Sequence, residues 1–188
     1  MEWKTRGHDL PADLPGRLRS AGFVPEDQET VLIGRAEEMA TTRPRLPVGV
    51  VLRHTAAEAD MHRIAAMESQ VWGQDWSWLA DDLIGRLATA PDDIAVIVAE
   101  ADGQVVSAGW LVFRPGTDFA GLWGGSTLRA WRGQGIYRSL VAHRAGLAAA
   151  RGVRYLQWDA SDDSAPILRR LGCHAVTTTT PYVWTPRP

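Results

Sequence analysis

Cysteine is almost missing from this 188-residue chain: Cys173 stands alone, so no intramolecular disulfide framework can form, and a reducing compartment is expected. Long apolar runs are missing as well. None approaches the roughly 20 residues needed to cross a bilayer, and the opening MEWKTRGHD carries no apolar stretch of the kind that heads a signal peptide. No membrane partner is expected. An excess of charge of either sign is lacking too: 20 Lys and Arg nearly balance 22 Asp and Glu, for a formal net charge of −2. That balance argues against a polyanion, and no nucleic-acid partner is expected. From these absences a soluble, cytoplasmic protein is expected. Phe and Tyr are scarce at three each, against nine Trp. An indole carries a donor that needs a partner when buried, which favours half-buried surfaces and pocket walls. With 45% hydrophobic residues the chain can build a real core, enough for one domain with a small addition.

The segment Thr41 to Pro47 (TTRPRLP) is broken twice by proline and reads as a linker, with an extension of residues 1–40 before it and the main domain, 48–188, after it. Val48 to Arg53 is β-branched and apolar, a strand. Thr55 and Glu58 have capping-box spacing ahead of a helix running to about Trp72 and stopped by Gly73. A second helix is expected from Ser77 to Ala90, with Leu79, Leu83 and Leu87 on one face. The period then changes. Ile94 to Ala99 and Val105 to Phe113 are strands joined by the hairpin turn Asp102-Gly103, and Phe119 to Leu128 is a third. Gln134 to Arg151 is amphipathic, with Ile136, Leu140 and Leu147 on one face. A strand at Tyr155 to Ala160, a short helix at Ser164 to Leu171 and two final strands around Pro181 complete the order. The fold class is mixed α/β (α+β), with meandering strands before a crossover helix.

The chemistry concentrates between Ser126 and Leu140, STLRAWRGQGIYRSL. A strand enters a turn bearing Gly133 and Gly135, and a helix leaves it. The first turn of a helix has N–H groups without internal partners and a partial positive charge, a natural seat for a phosphate. Arg132 and Arg138 can add charge-assisted hydrogen bonds. The loop lacks the Lys-Ser/Thr pair of a nucleotide-binding P-loop.

The pattern R-G-x-G-I-Y-R-x-L, after a strand and before strand and helix segments, resembles the GNAT superfamily of acyltransferases. That family's loop is written Q/R-x-x-G-x-G/A, and Arg132, Gly135 and Tyr137 occupy its defining positions; Tyr137 departs from the small residue expected last. The family's L-Y-x-x-L-G-F aligns with Ile167 to Cys173. The resemblance covers about Val48 to Trp184. It implies a mainly antiparallel central sheet with helices on both faces, and acetyl-CoA as co-substrate with no metal. It also implies transfer of an acetyl or other acyl group to a small-molecule or peptide amine by direct attack. Ser126, Thr127 and Leu128 would bind pantetheine and help polarise the thioester carbonyl. Arg132, Gly133, Gln134, Gly135, Ile136, Tyr137 and Arg138 would hold the pyrophosphate, with Ser161 and Ser164 as further cofactor contacts.

The acid and base are not carried over so simply. The family's proton-donating Tyr aligns with Leu168, which has no proton to give; Ser164, Ser161, Tyr182 and, more distantly, Tyr137 are the substitutes. No carboxylate stands on Leu122 to Gly125, so Asp159 and Glu68 are the candidate bases, each with a solvated surface charge as its plain alternative. Cys173 reads as packing. Trp72, Trp76 and Trp78 line either an acceptor pocket or an interhelical core.

Residues 1–40 repeat the tail in miniature, Leu18 to Phe23 (LRSAGF) echoing Leu168 to Cys173 (LRRLGC). They read as a partial GNAT-like repeat or docking extension, too small to fold alone, that docks on the main sheet or on a second subunit of a homodimer. A non-catalytic acyl-CoA sensor or scaffold is the alternative to the enzyme.

Overall fold

The structure, a computed structural model, describes residues 1–43 and 45–186, so Pro44 of the expected linker lies outside it. Two compact units divide the chain, one of Met1–Gly34 with the residues from Gln157 on, the other of Arg35–Leu156.

In the first unit the N-terminal segment forms Glu2–Arg6 (β1), Leu14–Ser20 (α1), Val24–Pro25 (β2) and Glu29–Arg35 (β3), while the C-terminal segment supplies most of Tyr155–Ala160 (β8), then Ala165–Arg170 (α6) and His174–Val183 (β9). Strand β9 pairs antiparallel with β1, β2 and β3. The expectation of two final strands is corrected: β9 is a single strand that runs through Pro181. Proline is tolerated where no ladder donor is needed, and the register with β3 ends at Thr179, before Pro181 is reached. The two echoing sequences close alike. Phe23 N–H donates to Leu18 O at 3.0 Å and Cys173 N–H donates to Leu168 O at 3.1 Å, each just past a glycine, the bond that ends a helix in a Schellman turn.

The second unit is built on Ile94–Ala101 (β5), apolar and β-branched, with every residue buried except the half-buried Glu100. Around it run Val50–Thr55 (β4), Gln104–Phe113 (β6) and Phe119–Thr127 (β7), an antiparallel meander in the order β7-β6-β5-β4. The Asp102-Gly103 turn has φ of 48° and 76°, the left-handed pair that a two-residue hairpin requires. Helices Ala36–Ala40 (α2), Glu58–Trp72 (α3), Trp78–Thr89 (α4) and Ile136–Ala150 (α5) cover the sheet. Ile64, Leu83, Ile97, Leu111, Leu140 and Ile136 form its most buried layer.

Helix α3 starts later than its spacing predicts. Ala57, not Thr55, is the cap residue, because Thr55 completes β4. Its hydroxyl still serves the helix start, accepting from Ala57 N–H at 3.2 Å and bonding the carboxylate of Asp60. Asp60 is buried and accepts from Arg53 at 2.7 Å and from Arg63 at 2.7 Å, which ties the first turn of α3 to β4. The Arg53 hydrogen bond holds the Asp60 carboxyl far below its ordinary value of 3.8, against the opposing effect of burial. A carboxyl with a depressed pKa stabilises the fold above its unfolded pKa and loses that contribution as pH falls through the folded value. Asp60→Asn is therefore expected to lower stability at pH 7 by about 1–3 kcal/mol. In urea titrations the gap from the wild type narrows as pH drops below 3.8; a pH-independent gap contradicts the assignment.

Candidate active site

Strand β7 carries an irregularity that organises everything near it. Gly109 of β6 faces Gly124 and Ala108 faces Ser126, so Gly125 is an extra residue, a bulge. Its φ is +99° and a Cβ there would lie 2.7 Å from Cε2 of Tyr137. Only glycine fits both conditions. Tyr137 is large where the resemblance expects a small residue, and such a side chain could crowd the start of α5. It does not, because its ring occupies the space that Gly125 vacates.

Past the bulge, Leu128 N–H donates to Val106 O at 2.9 Å and Ser107 Oγ donates to Ser126 O at 2.6 Å. The backbone groups of Ser126 and Leu128 thus face β6, and by strand alternation those of Thr127 face away from it. Thr127 O accepts from Arg132 Nε at 3.0 Å, which folds the loop back onto the strand. Gln134 Nε2 adds a bond to Ala130 O at 3.0 Å. Of the three residues expected to meet a ligand, Thr127 is the one whose N–H faces away from β6.

Gly135 is the cap of α5, in a left-handed conformation at φ 86°, and no side chain caps the helix. The first bond past the cap is Ser139 N–H to Gly135 O at 3.0 Å, so the N–H groups of Ile136 to Arg138 lie ahead of the first helical bond, as an anion site requires. Ile136 is fully buried and anchors the loop, while Gly133, Gln134 and Arg138 are exposed. A Cβ on Gly135 would sit 3.0 Å from Arg45 O, a contact that keeps the cap tight. Beside the loop an open cleft of about 480 Å³ is lined by Gln70, Val71, Leu128, Arg129 and Arg132. A larger hollow of about 580 Å³ along α1, bordered by Asp13, Gly16 and Arg17, is a shallow surface depression remote in character from this chemistry.

Glu68 is the candidate base that falls in this unit. It is 2% exposed on α3. Oε2 accepts from Trp72 Nε1 at 2.9 Å, and Oε1 is buried with no hydrogen-bond partner among the described residues. Burial raises its pKa above the ordinary 4.5, while Ser126, on the strand just past the bulge, and Trp72 act in the opposite direction. Ser126 is thus near enough to favour the charged form without satisfying Oε1. A solvated surface role for Glu68 is overturned by this burial.

The three indoles at the junction of α3 and α4, Trp72 ending one helix, Trp78 opening the other and Trp76 in the segment between, are a surface ledge, not an interhelical core. Trp72 and Trp78 are each 56% exposed, and Trp76 stacks between them, its ring centre 6.4 Å from Trp72 and 5.3 Å from Trp78. Trp76 Nε1 is a second buried polar atom without a partner among the described residues.

The remaining candidates belong to the other unit. Asp159 forms an ion pair with Lys4 at 2.9 Å, and Lys4 also reaches Glu29 at 3.3 Å. Its carboxylate is thereby engaged in joining the N-terminal strands to β8. Ser161 and Ser164 are bonded to each other at 3.2 Å ahead of α6. Leu168 and Tyr182 are buried. Burial pushes the Cys173 thiol up to about 12, in keeping with packing and not with nucleophilic chemistry. Among the described residues no group of His, Cys, Asp and Glu could hold a metal ion, and no helix is long and apolar enough to cross a membrane.

Sequence reading passed over Arg144. It is 1% exposed on α5, and its Nη1 donates to Trp123 O at 2.8 Å and to Trp110 O at 3.3 Å. The signal was present: Arg144 follows Ile136 and Leu140 at the i+4 spacing of the helix's own apolar stripe.

The family model for the Acetyltransferase (GNAT) family matches residues 59–173, more than half of the chain. None of the curated proteins matches it. Among solved structures, a GCN5-related N-acetyltransferase from Kribbella flavida is similar with a TM-score of 0.67 and 19% identity, over 96% of this chain and 66% of that one. A tandem GNAT protein from the clavulanic acid biosynthesis pathway is similar with a TM-score of 0.62 and 16% identity, over 100% of this chain and 65% of that one. A predicted acetyltransferase from Clostridium acetobutylicum, solved with acetyl-CoA, has a TM-score of 0.58 and 15% identity, over 68% of this chain and 91% of that one. This chain thus spans just under two thirds of the first two proteins, and at such identities the likeness is one of fold.

The close approach at the bulge gives a test. Gly125→Ala is expected to cost about 1–3 kcal/mol, part from φ and part from the Tyr137 ring. Adding Tyr137→Ala should relieve the second part, so a urea double-mutant cycle shows favourable coupling. Strictly additive costs contradict the packing described.

Proposed function

The chain belongs to the Acetyltransferase (GNAT) family, and from that premise we propose that it moves an acetyl or other acyl group from coenzyme A to an amine, with Glu68 as general base. The single observation that carries this reading is the buried, unpartnered Oε1 of Glu68 beside Ser126, on the strand that precedes the phosphate loop. A carboxyl left in that condition is costly unless something else meets it. An incoming ammonium or amine N–H is the chemically apt partner.

In this reading the pyrophosphate of acetyl-CoA lies on the N–H groups of residues 133–138, with Arg138 beside it, and pantetheine runs past Thr127. The fit rests on a helix start with no side-chain cap and on two left-handed glycines. The amine is held between Glu68 and the indole ledge, whose π faces suit an acceptor that is cationic or carried on an apolar body. Glu68 takes the proton from nitrogen, the nitrogen–carbon bond forms, and the carbonyl oxygen becomes an oxyanion. Collapse breaks the carbon–sulfur bond, and the thiolate leaves with a proton drawn from water.

The N-terminal extension is read as a partial GNAT-like repeat docked through β9, supported by the matching helix ends of α1 and α6. A non-catalytic acyl-CoA sensor is the rival, favoured by Leu168, fully buried where the family carries a proton-donating Tyr.

Kinetics on Glu68→Gln separate these readings. Since the base acts as the carboxylate and burial raises its pKa, wild-type turnover should rise with pH through that elevated value. The variant should lose roughly a hundredfold or more in kcat together with that limb of the profile. Burying a carboxylate opposes folding, so stability falls as pH rises from the unfolded to the folded pKa. The variant is therefore no less stable than the wild type at pH 7. Acetyl-CoA binding with no turnover of any amine by the wild type supports the sensor instead.

A further inference from the structure

The buried guanidinium of Arg144 has no place in the mechanism above, and its surroundings are unusual for a charge. Among the described residues no carboxylate pairs with it. Its bonds go to backbone oxygens: Leu140 O at 3.2 Å from Nε, and Trp110 O and Trp123 O from Nη1. The group lies flat on two strands because both lack a side chain there. A Cβ on Gly109 would be 2.7 Å from Nη1, and one on Gly125 would be 3.6 Å from Nη2. Burial lowers its pKa to about 10, so it remains charged at neutral pH.

A buried cation held only by carbonyl dipoles is expensive, and an apolar side chain of the same length would fill the space at lower cost. What the charge does is local. Trp123 O belongs to the residue just before the Gly124-Gly125 bulge, so Arg144 fastens the strand at the point where it departs from regular pairing. It also sets a full positive charge directly behind that point, in a medium where screening is weak.

Resting on the acyltransfer reading above, we propose that Arg144 is a positioning residue for that reaction, fixing the β7 bulge and supplying the positive field in which the thioester oxyanion develops. If pantetheine passes Thr127, the acyl end lies upstream along β7 at about 3.3 Å per residue, which brings the carbonyl to Gly125. Tyr137, whose ring covers Gly125 on the α5 side, is an electrostatic neighbour of the guanidinium. Tight binding of the cofactor is left to the loop; Arg144 acts on the step in which charge moves onto oxygen.

Two measurements test this. Arg144→Met keeps the length of the side chain without its charge, and Arg144→Lys keeps the charge without the two-carbonyl grip. The Met variant should retain acetyl-CoA affinity by calorimetry within about twofold while kcat falls at least about tenfold, with Lys intermediate. In the wild type, the carbonyl stretch of bound 13C-labelled acetyl-CoA should shift to lower frequency relative to free acetyl-CoA, a reading that needs no variant to fold. A folded Met variant with unchanged kcat, a parallel loss of affinity and kcat, or an unshifted carbonyl band in the wild type overturns the proposal. A wild type that polarises the carbonyl yet acylates no amine overturns the transfer reading beneath it and leaves the field assignment standing.

Discussion

One extra residue in β7 is the constraint on which the rest of the site depends. Gly125 has no partner on β6, and its φ of +99° admits only glycine comfortably. The vacancy of its side chain accepts the ring of Tyr137, which in turn allows a large residue at the start of α5. The neighbouring Gly124 lies against the ring of Trp110, where a Cβ would meet Cζ3 at 2.6 Å. Arg144 then ties down the carbonyl that leads into the bulge. A single irregularity therefore couples the β6–β7 ladder, the first turn of α5 and the only long charged side chain seen fully buried among the described residues.

The second organising feature is the unequal treatment of two carboxyls on one helix. Asp60, at the start of α3, is surrounded by Arg53, Arg63 and Thr55, and its charge is fully met. Glu68, two turns on, is also buried, with Trp72 and Ser126 favouring its charge and Oε1 left without a partner among the described residues. The first arrangement fixes the helix to the sheet. The second leaves a group whose proton affinity is raised by burial, the condition under which a carboxyl becomes a useful base. The helix is anchored at one end so that the other can hold a poorly satisfied charge.

Local pattern was enough to read most elements. The hairpin at Asp102-Gly103, the strand Tyr155–Ala160 and the stop at Gly73 all follow from residues close in sequence. What sequence reading lacked was long-range pairing. Pro181 looks like a strand break until it is known that β3 ends its register at Thr179. Tyr137 looks crowded until Gly125, twelve positions earlier, is known to lie under it. Glu68 and Arg144 sit on the apolar stripes of their helices, Glu68 four residues after Ile64 and Arg144 four after Leu140. A charged residue is ordinarily placed on the wet face, so the pattern was overruled by residue type.

The central claim is that the loop and the bulge serve one ligand, the loop holding its phosphates and the bulge receiving its acyl carbonyl. A crystal structure with a non-reactive thioether analogue of acetyl-CoA tests it most directly. The account predicts pyrophosphate oxygens on the N–H groups of residues 133–138 and the carbonyl oxygen at Gly125, with Glu68 Oε1 facing the open side of the carbonyl carbon. An analogue bound away from the start of α5, or one whose carbonyl points away from Gly125, would contradict it.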